Sequence, residues 1–220
     1  MQIDSLQLNS CVKVYVSAFD SGVVVGEVKP ASRNEVIQRC TDTLIKQQRY
    51  CVWRLLDFAL RANCGGGVDS FTFTLTDSGK WICDNGVQFS LSHCNNVVAV
   101  AVCNQAVGVD VQSVASFARQ VTNADFAARV LTENEQRLLC GITSDDARAQ
   151  TLATIWTQKE SIFKLHGCYS FVPKAIDTTN CSAHSQLVTL NGEQYALSVA
   201  GFVGGVDNLS VEIEYVKVRF

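Results

Sequence analysis

Two β-rich runs, VVAVAVC at 97–103 and AVGVDVQ at 106–112, are joined by only Asn104-Gln105. A connection this short predicts an antiparallel hairpin, because parallel neighbours need a crossover of about a dozen residues or more. The Asn191-Gly192 pair between LVTL and QYALSVAGF predicts a second hairpin. Further strands are expected at CVKVYV (11–16), around Phe71–Leu75 ahead of the turn Asp77-Ser78-Gly79-Lys80, at FSLSHC (89–94) and in LSVEIEYVKV near the end. Helical spacing occupies two stretches. From about Arg33 to Ala62, Ile45, Val52, Leu56 and Leu60 recur on one face, with Lys46, Arg49 and Arg54 on others, until Cys64-Gly65-Gly66-Gly67 ends the pattern. The second stretch, about 123–168, contains Thr132-Glu133-Asn134-Glu135, a capping box that opens a new helix before Leu138 and Leu139. Hairpins interleaved with helices predict an α+β fold and argue against a doubly wound parallel sheet; neither G-x-G-x-x-G nor a P-loop is present.

With 220 residues, 47% hydrophobic and 18% charged, the chain can bury one large core or two small ones. A net charge of −3 provides no global positive field for a nucleic-acid backbone, so basic contacts are expected only within a pocket. The ten cysteines are scattered and none forms C-x-x-C, which predicts reduced, mostly buried thiols. Asp4 stands where a signal peptide carries basic residues, and no run approaches the ~18 apolar residues of a membrane span. A cytoplasmic protein without a membrane partner is expected.

Three segments carry chemistry. In Val107-Gly108-Val109-Asp110-Val111-Gln112, alternation along a strand aims Asp110 and Gln112 to one side while Val109 and Val111 face the core. Two oxygen-bearing side chains so placed make a corner suited to magnesium, which binds through one or two carboxylates plus substrate phosphates. In Trp156-Thr157-Gln158-Lys159-Glu160-Ser161-Ile162-Phe163-Lys164, helical spacing puts Trp156, Glu160 and Lys164 on one face with Lys159 and Phe163 beside it. Glu160 and Lys164 alone read equally well as an exposed i,i+4 ion pair worth about 0.2–0.5 kcal/mol. In FSLSHC, Ser92 and His93 offer hydrogen bonds to a phosphate or ribose, and no G-x-S-x-G elbow makes them a hydrolase site.

Taken in order, FSLSH, VGVD and WTQKESIFK resemble the 4′-phosphopantetheinyl transferase superfamily, whose patterns run as SHS, then GID or GVD, then W-[ST]-x-K-E-[AS]-x-x-K. The last pattern is matched in full, and the likeness extends over about residues 40–175, including Ser78-Gly79-Lys80 and FAARVLTENEQRLL. The length resembles the larger, surfactin-synthetase-activating type. That resemblance implies a monomeric pseudo-dimer of two similar α+β halves, here 1–103 for nucleotide contacts and 104–220 for the metal and the catalytic helix. It implies Mg2+ (with Mn2+ as substitute) on Asp110, Glu160 and Gln112, the last standing where the type has a second acid. Glu160 is then also the general base, Lys164 the group that stabilises the leaving nucleotide, and Lys159 an added positive charge. Coenzyme A would be held by Ser92, His93, Lys80 and, for its 3′-phosphate, Arg49 with Lys46; Arg54 is an equally placed alternative on the same helix. The implied activity moves phosphopantetheine from coenzyme A to a serine of an apo acyl or peptidyl carrier protein. The alternative is a member that binds coenzyme A without transfer. Phe117, Phe126, Val130 and Leu131 are candidates for an apolar carrier-docking surface or, equally, for helix core, with Arg119 or Arg129 assisting docking.

Overall fold

The run 97–103 is apolar at every position because it is covered on both faces. In the computed structural model, which describes residues 11–84, 86–167, 170–181, 183–201 and 210–220, this strand is the interior of a mixed sheet. Strands β1 (Cys11–Ala18), β4 (Gln88–Cys94), β5 (Val97–Cys103) and β9 (Ser210–Tyr215) lie in the order β4-β5-β1-β9. Val98, Val100 and Val102 point to helix α2 (Thr43–Cys64) and share a core with Trp53, Leu56 and Leu60. Val97, Ala99 and Ala101 point the other way, onto a second sheet. That sheet is β6 (Val107–Ser113), β8 (Glu193–Gly201) and β7 (His184–Leu190), in the order β6-β8-β7 and antiparallel throughout. Val107, Val109 and Val111 meet the first sheet, and helix α6 (Asp145–His166) covers the opposite face. Each sheet thus carries a 22-residue helix on its outer side. Strands β2 (Phe73–Leu75) and β3 (Trp81–Cys83) form a small separate hairpin across the Gly79 turn. The shorter helices are α1 (Ala31–Gln38), α3 (Ala115–Ala118), α4 (Ala124–Val130) and α5 (Glu133–Cys140). The α+β class expected from the sequence is the class observed.

Several local expectations hold. Thr132 and Glu135 make the reciprocal capping box of α5, and Asn191 and Gly192, both with positive φ, turn β7 into β8. Others are corrected. The helical stretch from Arg33 is two helices, because Asp42 accepts the Ile45 amide and caps a new start. Ile45 therefore falls in the first exposed turn of α2, outside the buried face. Strands β5 and β6, though consecutive, do not pair. Both edges of β5 are taken, by β4 and β1, so β6 pairs with β8. The final strand returns to the first sheet and runs parallel to β1, with Cys11 opposite Ser210 and Val16 opposite Tyr215. None of the nine described cysteines is in a disulfide, and of these only Cys51, Cys94 and Cys103 are buried, fewer than expected. No described helix is long and apolar enough to cross a membrane. The N-terminal residues read for a leader, together with Cys168, Phe202 and Leu209 at the ends of predicted elements, lie outside the described residues.

The two sheets are joined along β4 and β6 by side chains. The amides of Val109, Val111 and Ser113 donate to Ser90 Oγ (3.0 Å), Ser92 Oγ (3.2 Å) and Cys94 Sγ (3.3 Å). Alternate small residues on β4 thereby satisfy the edge amides of β6, which would otherwise be buried without acceptors.

Candidate active site

Gly108 lets a helix backbone lie directly on a strand. A β-carbon there would stand 1.9 Å from the Ser161 carbonyl oxygen and 2.7 Å from the Leu165 nitrogen, both in α6. This close approach brings the Glu160–Lys164 turn of α6 over Asp110 of β6. Asp110 is 1% exposed. Its Oδ1 accepts from Ser92 Oγ at 2.6 Å and from Lys164 Nζ at 2.7 Å. Lys164 Nζ also donates to the Val109 carbonyl at 3.1 Å and lies 3.5 Å from Glu160 Oε2. The other oxygen of Asp110, Oδ2, is buried without a hydrogen-bond donor.

Burial, and then the charge of Asp110, push the Glu160 carboxyl up to about 7, with Lys164 pulling the other way. Two carboxylates in a corner of low dielectric resist being ionised together with one ammonium for company. Either Glu160 takes up a proton or a further cation enters. The orphaned Oδ2 and the raised Glu160 carboxyl are thus a donor set that fits a divalent metal. Gln112 stands half-buried two residues beyond Asp110, on the same side of β6. Among the described residues no group of three or more His, Cys, Asp or Glu side chains is gathered as for a metal.

Beside this cluster lies a cavity of about 230 Å³ whose walls include Trp81, Phe89, Leu91 and Phe163, with Lys80 and Lys164 as its basic groups. Lys80 sits at the C-terminal end of α6, donating to the Lys164 carbonyl at 3.3 Å, and burial lowers its pKa. His93 follows Ser92 on β4 and faces the opposite side of the strand. Burial, then the charges of Lys164, Arg33 and Arg49, push its imidazole down to about 4, so it is neutral at physiological pH. These charges mark Arg33, Arg49 and Lys164 as an electropositive group around neutral His93.

Of the residues singled out in the sequence, Asp110, Glu160, Lys164, His93, Arg49 and Lys80 come together in this way. Arg54 is elsewhere, in a cleft with Glu27, Lys29, Asp57 and Asp69, which separates it from Arg49. Lys46 is turned onto the end of α1, donating to the Gln38 carbonyl at 3.4 Å. Ser92 is 4% exposed and bonded to Asp110 and the Val111 amide, so its hydroxyl does not face the cavity.

Lys159 is the clearest correction. It is fully buried, 2.8 Å from the equally buried Glu135, and donates to the Pro173 carbonyl at 2.9 Å and to that of Ile176. Glu135 also accepts from the Thr178 amide and hydroxyl. The pair ties α5 and the 173–178 segment to the far side of α6. Lys159→Met is therefore expected to cost about 3–5 kcal/mol of stability, since it strands a buried carboxylate. Adding Glu135→Gln should recover part of that loss in urea denaturation. An unchanged single-variant midpoint would refute the clamp.

Phe117, Val130 and Leu131 are likewise core, packed with Leu152 and Ile155 of α6, and do not form an exposed docking surface. Phe126 is half-buried against Phe117 and Trp156. Arg33 was not legible as a site residue. It is 8% exposed, lies over Trp53 at 4.9 Å and Trp81 at 5.9 Å, donates to the Arg49 carbonyl, and leaves Nε without a partner. Burial and Arg49 pull its guanidinium down to about 10. Sequence spacing gives no sign that residues 33, 53 and 81 meet.

A segment in which a strand Asp, a helix Glu and a helix Lys converge beside a basic, aromatic-walled cavity can be compared with known families. Residues 106–213 match the family model of the 4′-phosphopantetheinyl transferase superfamily. No curated protein matches the chain. The matched segment contains Asp110, Glu160 and Lys164, and the match supports phosphopantetheine transfer as the general activity, with coenzyme A as the family's substrate. Lys80, Ser92, His93, Arg33 and Arg49 precede the matched residues, so the basic side of the site rests on geometry alone.

Proposed function

We propose that this protein transfers the 4′-phosphopantetheine group of coenzyme A to a serine of an apo acyl or peptidyl carrier protein, as a magnesium-dependent enzyme of the larger, surfactin-synthetase-activating type. The observation that carries this reading is the meeting of Asp110, Glu160 and Lys164 beside the cavity. In this account the 1–103 half supplies nucleotide contacts and the 104–220 half the metal and proton-transfer groups, and the protein acts as a cytoplasmic monomer.

Arg33 and Arg49, with neutral His93 as a hydrogen-bond donor, take the phosphate groups of the nucleotide. Trp81 and Phe163 line the space for its flat base. Asp110 and Glu160 are the residues that would hold Mg2+ (or Mn2+), with Gln112 or water as a neutral ligand. When bound, the ion supplies charge neutralisation at the pyrophosphate. Glu160, in the corner shared with Asp110 and Lys164, takes the proton of the carrier serine. The serine oxygen forms its bond to the phosphorus that carries pantetheine as the pyrophosphate bond breaks. Lys164, a quarter exposed and therefore accessible, stabilises or protonates the departing adenosine 3′,5′-bisphosphate.

The test is to incubate the protein with coenzyme A, Mg2+ and apo carriers from fatty-acid, polyketide and peptide assembly lines, and to follow adenosine 3′,5′-bisphosphate by chromatography. Carrier-dependent release is expected. Coenzyme A binding without release from any carrier would replace the enzyme by a binding protein. A companion prediction concerns Gln112: Gln112→Glu adds a third acid and should lower the Mg2+ concentration for half-maximal rate. An unchanged dependence would remove Gln112 from the metal's surroundings.

A further inference from the structure

Resting on the metal-dependent reading above, we infer that Ser92 is a positioning residue for Asp110 and not a contact for the coenzyme A phosphates. A serine hydroxyl has one hydrogen to donate. Here it goes to Asp110 Oδ1 at 2.6 Å, while the oxygen accepts the Val111 amide at 3.2 Å. With 4% of its surface exposed, Ser92 has neither the proton nor the access to serve a ligand in the cavity.

The neighbouring rungs of the β4–β6 junction isolate what is particular to this one. Ser90 and Cys94 accept the Val109 and Ser113 amides just as Ser92 accepts that of Val111. Of the three, Ser92 is the one whose own proton goes to a carboxylate. Alternation along β4 divides the adjacent Ser-His pair between two tasks. Ser92 faces β6 and its acid, and His93 faces the electropositive group of Arg33 and Arg49.

The consequence for Asp110 is orientational. Ser92 and Lys164 both hold Oδ1, which fixes the carboxylate plane and leaves Oδ2 as the free, buried oxygen. Without the Ser92 hydroxyl, Lys164 alone holds Oδ1, and rotation about the Cβ–Cγ bond is no longer blocked. Outer groups of this kind typically change metal affinity or activity by about 10–100-fold.

Two variants test the inference. Ser92→Ala removes both hydrogen bonds. Ser92→Cys keeps an acceptor for the Val111 amide, as Cys94 does at the next rung, but replaces the strong donor to Asp110 by a weak one. Mn2+ binding would be read by electron paramagnetic resonance, coenzyme A binding by calorimetry on metal-free protein, and kcat and the KM for coenzyme A in the transfer assay. Both variants should lose about 10–100-fold in Mn2+ affinity and in kcat, with metal-free coenzyme A affinity and KM unchanged. Ser92→Cys should also keep the wild-type unfolding midpoint. Weakened coenzyme A binding with unchanged Mn2+ affinity in Ser92→Cys would overturn the inference alone. A wild-type protein that binds neither Mn2+ nor coenzyme A would overturn the proposed function, and the inference with it.

Discussion

Gly108→Ala is expected to cost at least about 3 kcal/mol, the upper end of the usual overpacking range. For a chain of 220 residues this is a fall of about 6–12 °C in unfolding midpoint. The added carbon would lie 1.9 Å from the Ser161 carbonyl oxygen and 2.9 Å from its carbonyl carbon. Both are backbone atoms within α6, so no side-chain rotation relieves the clash. The helix must lift from β6, and lifting it withdraws Lys164 from Asp110 and Glu160 from the corner they share. Transfer should therefore fall even at temperatures where the variant stays folded. Thermal denaturation by circular dichroism and an initial-rate assay at low temperature read the two effects separately. A variant with wild-type midpoint and rate would show that the strand–helix contact does not build the site.

Glu160→Gln should act in the opposite pattern. The substitution keeps the shape and removes the charge, so it lifts the like-charge contact with Asp110 that pushes the Glu160 carboxyl up. The unfolding midpoint is expected to hold or rise. Transfer should fall by at least about 10²–10⁴-fold, the usual contribution of a positioned acid or base, while metal-free coenzyme A binding remains. Together the two variants separate the residue that builds the site from the one that performs the proton transfer. Near-normal turnover by Glu160→Gln would remove it from the reaction.

How much of this could be read in advance depends on whether the deciding contact was local. Asp110 and the Glu160–Lys164 pair were legible because strand and helix periodicity fix which side chains share a face. The role of Gly108 was not, because its need for a missing β-carbon comes from α6, more than fifty residues later. Lys159 shows the same limit within one motif. It adjoins Glu160 in sequence, yet α6 turns it to the opposite side, where Glu135 and the 173–178 carbonyls claim all its donors. Ser92 and His93 illustrate it on a strand: adjacency suggested one shared task, and alternation gives them two. For the fold, mixed hairpins and helices sufficed for the α+β class. What they could not show was that β5 has both edges occupied, or that the last strand returns beside the first in parallel, since those pairings link residues up to 199 positions apart, as Cys11 and Ser210 are.

The most direct test of phosphopantetheine transfer is the mass of an apo carrier protein after incubation with this protein, coenzyme A and Mg2+. A gain of one phosphopantetheine on the carrier serine is expected, absent when that serine is alanine and absent with Glu160→Gln. A carrier mass that stays unchanged across fatty-acid, polyketide and peptide carriers, with the wild-type protein folded and coenzyme A intact, would contradict it.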